Sequence, residues 1–182
     1  MIALEEGSEK RAEAEFVSGL LEQHHSTRLE LALVASSASE RMKGGEFPKH
    51  YSQFRARADR AGFEQVEVLL ALGRIGIGFI DYCLIASKAA LAREKKIFAT
   101  LFPTHSYVFQ KPEDLSDEQN IKKKRARWVN QMLDTQAFWA HENAARDVFV
   151  TSDRNFRRKL VGHPSFTKAK VLTPKEALEL LQ

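Results

Sequence analysis

A single cysteine, Cys83, stands among 182 residues, so no disulfide forms within the chain and no thiolate cluster can gather a metal. That usage fits a reducing compartment. No apolar run approaches the roughly 20 residues needed to cross a bilayer. The opening residues, MIALEEGSEKRAEAEF, lack the basic start and apolar block of a secretory signal. The expected location is the cytoplasm, with no membrane partner. No Gly-Lys-Ser/Thr triplet occurs, and Gly73, Gly76 and Gly78 do not complete a GxGxxG pattern, which argues against a nucleotide phosphate loop.

The length is that of one ordinary domain. No internal repeat and no linker divide it, so residues 1 to 182 read as a single unit. An apolar fraction of 43% is enough for a core, and 29% charged residues give a solvated surface. The net charge of +4 permits a nucleic-acid partner without requiring one.

Apolar spacing predicts a helix over residues 8 to 24, through Ala12, Phe16, Leu20 and Leu21. The run LELALVAS, 29 to 36, reads as a buried strand, and SSASERMKGG as a short helix that Gly44 and Gly45 stop. Residues 50 to 62 read as a helix, 66 to 72 as a strand, 73 to 83 as extended chain, 85 to 100 as a helix and 102 to 120 as a loop. A long helix is expected over 121 to 146, then the strand DVFVTSD, the helix RNFRRKL, the strand KAKVLTP and a closing helix EALELL. Strands alternating with helices predict an α/β fold with a mainly parallel sheet.

Ligands of such sheets bind at the carboxyl ends of the strands. Thr151, Ser152 and Asp153 end one strand, and Glu40 follows another. Several carboxylates at one edge repel unless a cation neutralises them. All-oxygen ligands favour hard cations such as Mg²⁺ or Mn²⁺, which support phosphodiester displacement. Basic clusters bracket the best acids. Lys122, Lys123, Lys124, Arg125 and Arg127 precede Asp134, and Arg154, Arg157, Arg158 and Lys159 follow Asp153. Each has a plainer reading. Asp153 can serve as an N-cap alone, Glu40 as a surface acid, His141 as a satisfied helix histidine, and the basic runs as solvated faces. Phe138 and Trp139 read as core residues.

The segment DTQAFWAHENAARDVFVTSDRNF resembles the C-terminal signature of PIN domains, where a helical Asp is followed by a strand and a [VT]-T-x-D-x-x-F block. Asp134 and Asp153 occupy those two acidic positions, and KVLTPKEALELL resembles the family's last strand and helix. SSASERMKGG resembles the region of the family's helical Glu, matched by Glu40. The resemblance implies a three-layer α/β/α fold and a metal-dependent endoribonuclease. Glu40, Asp134 and Asp153 would hold Mg²⁺ or Mn²⁺. Thr151, Ser152, His141, Lys124, Arg125 and Arg154 would contact RNA. It also implies an inhibitory protein partner and a homodimer. One departure stands out. PIN domains begin with a strand ending in Asp, and MIALEEG matches only that strand's tail, so the first acid would precede Met1. A misassigned start, a truncation and a lost ligand all fit, and Glu5 or Glu6 is a possible substitute. The competing readings are a catalytically degenerate PIN-like RNA- or protein-binding domain and, last, a receiver or phosphohydrolase. The last two need an early strand-end Asp, which is missing.

Overall fold

The computed structural model describes residues 8–35, 50–111 and 117–181. The predicted helix around residues 37 to 45 lies outside them, as do Glu5, Glu6 and Glu40. Helix α1 (Ser8–His25) leads through a turn to β1 (Ala32–Val34). Helix α2 (Tyr51–Arg60) precedes β2 (Glu67–Leu69), β3 (Ala71–Leu72) and β4 (Cys83–Leu84). Then come α3 (Lys88–Leu101) and the long α4 (Glu118–Asn143). The chain closes with β5 (Phe149–Val150), α5 (Arg154–Leu160), β6 (Val171–Leu172) and α6 (Pro174–Glu179).

The strands pair in parallel, β1 with β2, β3 with β4 and β5 with β6. The fold is therefore mixed α/β, 51% helical, with short parallel strand pairs in small sheets. Local chemistry sets the helix starts. Ser87 Oγ accepts from Ala90 N–H at 3.1 Å and so caps α3. Asp117 Oδ1 accepts from Asn120 N–H at 2.9 Å, which starts α4 three residues before the expected point. Thr173 and Glu176 form a reciprocal capping box on α6, with Pro174 in its first turn.

Three expectations of strand or extended chain need amending. The run 66–72 is divided, with Leu70 between β2 and β3. The stretch after Leu72 is mostly turns, because Gly76 and Gly78 take φ of +77° and +66° and reverse the chain about an Arg74–Ile77 bridge. The run 147–153 pairs only at Phe149–Val150, since Asp153 N–H turns back to Thr151 Oγ1 at 3.2 Å.

Phe138 on α4 is fully buried. Its ring lies 5.4 Å from Phe149, 6.4 Å from Phe156 and 5.9 Å from Phe166, so α4, β5 and α5 share one core. Helix α1 closes on α6 where Gly19 permits close approach. A Cβ at Gly19 would sit 2.9 Å from Leu178 Cδ2.

A cavity of about 510 Å³ separates β1 from β5. Ala32, Val34, Val148 and Val150 line it, with Leu20 of α1 and Ala177 of α6. Among the described residues β1 pairs only with β2 and β5 only with β6. Ala35 N–H donates to Leu69, and the Phe149 and Thr151 N–H groups donate to Lys170 and Leu172. Peptide groups alternate sides along a strand, so those of Val34 and Val150 face the cavity.

Candidate functional site

Asp134 sits two-thirds of the way along α4, in a stretch where Gln131 to Leu133 and Thr135 to His141 are all buried. It is itself half-buried. Burial, and after it the charge of Asp153, raises its pKa to about 7. Asp153 follows β5 and is exposed. Its Oδ1 accepts from Asn155 N–H at 2.7 Å, so the residue caps α5, and its charge acts on Asp134. The N-cap reading of Asp153 is met, and the same residue acts electrostatically on Asp134.

Among the described residues no Lys, Arg or His forms an ion pair with either carboxylate. Two interacting acids without a counter-ion are costly when both are charged. The pair fits the way Mg²⁺ is usually held, through one or two carboxylates with the remaining positions left to water and substrate phosphate. Thr151 and Ser152 sit just ahead of Asp153 and add hydroxyl oxygens. Groups of three or more His, Cys, Asp or Glu placed to bind a metal are absent among the described residues.

The other sequence-derived residues fall at varied distances. Arg154 is exposed, adjoining Asp153 at the start of α5. Lys124 and Arg125 are exposed on α4, about 15 Å along the helix axis from Asp134 at 1.5 Å per residue. Arg125 reaches toward the Gly76 turn, its Nη2 3.8 Å from where a Cβ there would lie. His141 is only 6% exposed. Its ring packs 5.6 Å from Phe138 and 5.3 Å from Phe149, and burial lowers its pKa, so it is a neutral core histidine lining the cavity. It lies two turns beyond Asp134 on the helix.

A buried polar cluster went unread in the sequence. Glu94 on α3 is fully buried and accepts from Arg74 Nη2 at 2.7 Å and from the Tyr107 hydroxyl. Gln136 Nε2 donates to Leu72 O at 3.0 Å and to Glu94 Oε1 at 3.3 Å. Burial first, then the bond to Glu94, raises the pKa of Tyr107. The signal was present. Glu94 falls in the apolar stripe of Ile97, Phe98 and Leu101, where a carboxylate requires partners.

Neither models of known protein families, nor curated proteins, nor solved structures match this chain. The functional reading therefore rests on the geometry of its own residues.

Proposed function

We propose that the chain is a metal-dependent endoribonuclease of PIN type, with Asp134 and Asp153 as metal ligands and Glu40 as a third. The observation that carries this reading is the uncompensated pair, in which Asp134 is pushed to about 7 beside Asp153. Mg²⁺ or Mn²⁺, when bound, supplies Lewis acidity and lowers the pKa of a coordinated water. Asp153 is held for ligation by its cap bond to Asn155 N–H. Asp134 is held by the packed face of α4, and its burial strengthens attraction to a cation. Thr151, Ser152 and Arg154 adjoin the pair and would orient an RNA phosphate, with Lys124 and Arg125 holding the backbone farther along.

The same proposal extends to the fold. The cavity between β1 and β5 has strand peptide groups on both sides and apolar side chains from α1 and α6, which suits one more parallel strand. That strand would join the pairs into one sheet between helical layers, the three-layer arrangement implied by the PIN resemblance. The segment ahead of α1, which the resemblance assigns to it, lies outside the described residues.

The test is cleavage of single-stranded RNA with Mn²⁺ present. The expected result is cleavage that EDTA abolishes. Asp134→Asn and Asp153→Asn should each reduce it by more than the roughly 10- to 100-fold typical of outer-shell partners. Cleavage unaffected by either substitution would refute the assignment. A second reading, a catalytically degenerate RNA-binding domain, is favoured by the two-acid set among the described residues. It predicts RNA binding with no metal-dependent cleavage.

A further inference from the structure

Near the start of α4, six consecutive residues, Lys122 to Arg127, are exposed. That is more than one turn of helix, so this part of α4 has no packed face. All but Ala126 are basic. Lys122 lies 4.0 Å from Glu118. Lys123, Lys124, Arg125 and Arg127 form no ion pair among the described residues. Like charges three and four positions apart, as at Lys124 and Arg127 or Lys123 and Arg127, work against a helix. A polyanion laid along it relieves that repulsion.

Two aromatic rings adjoin the run. Trp128 lies one helical turn beyond Lys124 and Arg125, on their face of α4. It is half-buried. It packs against the cluster of Ile77, Phe98, Met132 and Leu133, and its Nε1 donates to Tyr107 O at 3.3 Å. The indole is therefore anchored while part of it meets solvent. Phe109, also half-buried, has its ring centroid 5.7 Å from that of Trp128, with the rings tilted by 50°. Val108 beside it is 67% exposed. Cations that track a backbone, next to rings on which bases stack, are the means by which proteins hold single strands. Loops and ends of RNA offer such unstacked bases, whereas a duplex keeps its own stacked.

We propose that Trp128 and Phe109, with Lys124 and Arg125 one turn before them, form a base-stacking platform for single-stranded RNA. The choice of RNA rests on the nuclease reading. The platform itself is separate from the acid pair, with Trp128 about 9 Å along the helix axis from Asp134 at 1.5 Å per residue. It anchors the strand by its bases before a phosphate reaches the acids.

The test is binding of oligouridine in EDTA over a series of salt concentrations, read by tryptophan fluorescence and by anisotropy of a labelled strand. The other tryptophan, Trp139, is 5% exposed, so quenching on binding reports Trp128. Trp128→Leu should remove the quenching and lower affinity about 5- to 100-fold, the range for one lost stacked base. It should leave the slope of log affinity on log salt unchanged, and Trp128→Phe, which keeps a ring, should bind close to the parent. Lys124→Ala with Arg125→Ala should shrink that slope by about 1.4, at about 0.7 for each single-strand phosphate no longer neutralised. The pair Arg60→Ala with Lys88→Ala, exposed on α2 and α3, serves as control, and far-UV circular dichroism checks every variant. Binding without quenching, or an abasic oligomer bound as tightly as oligouridine, would overturn the platform. Tighter binding of oligothymidine would overturn the choice of RNA. The metal-free readout separates the two proposals. Quenching by RNA without cleavage in Mn²⁺ would sink the nuclease reading and leave the platform standing, and cleavage with RNA binding unaffected by Trp128→Leu would do the reverse.

Discussion

Asp153, at the carboxyl end of β5, presses its charge on Asp134 of α4, and this repulsion adds to burial in raising the Asp134 pKa to about 7. The two residues are 19 positions apart in sequence (153 minus 134), and the Phe138 core that α4 shares with β5 brings their charges within each other's influence. A carboxyl that keeps its proton to near neutrality has consequences for stability and for metal affinity.

Stability should reveal the pair first. Unfolded, Asp134 titrates near 3.8, and folded near 7. Its proton is therefore held more tightly in the native state between those values. The contribution is full below about 3.8 and is lost as pH rises through about 7. Other acids oppose this trend, so the useful quantity is the difference between parent and Asp134→Asn. In EDTA, urea unfolding should show the parent gaining on the variant as pH falls from 7 toward 4. A constant difference across that window would mean that Asp134 is not perturbed.

The buried Glu94 predicts a different pattern. Its side chain has no exposure, and Arg74 is its cationic partner at 2.7 Å. Arg74→Met should destabilise by about 3–5 kcal/mol, because it leaves a buried carboxylate without its counter-charge. Adding Glu94→Gln should recover part of that loss. Thermal or urea unfolding of both variants checks the order, and a double variant no better than Arg74→Met would contradict it.

The cavity between β1 and β5 gives a third prediction. With a strand in place, the N–H groups of Val34 and Val150 become ladder donors. Their hydrogen exchange should then be as slow as that of Ala35 and Phe149, which already donate to β2 and to Lys170 beside β6. Exchange at solvent-like rates for Val34 and Val150 would show an open edge and remove the argument for a completed sheet.

Much of the element sequence was legible because apolar period survives in single residues. The row Val129, Leu133, Ala137 and Ala140 marks α4, and the β-branched run around Phe149 marks β5. The junctions were less legible. The break at Leu70 and the glycine turns after Leu72 depend on chain reversal, which an apolar run does not report. Asp117 hid the start of α4 inside a polar stretch that reads as loop. Glu94 was passed over because a charged residue within a helix reads as solvent-facing until its neighbours on the same stripe are weighed. Periodicity does not bring Asp134 against Asp153. Their association was legible only through the resemblance, and the burial of Asp134 with the charge of Asp153 acting on it emerges only from the fold.

The most direct test of the central claim is calorimetric titration with Mn²⁺ at pH 6 and pH 8, for the parent and for Asp134→Asn and Asp153→Asn. The account predicts that the parent binds more tightly at the higher pH, because Asp134 must give up its proton near 7 to become a ligand, and that either substitution abolishes binding. Failure of the parent to bind at pH 8, or equal binding by the variants, would contradict the metal centre.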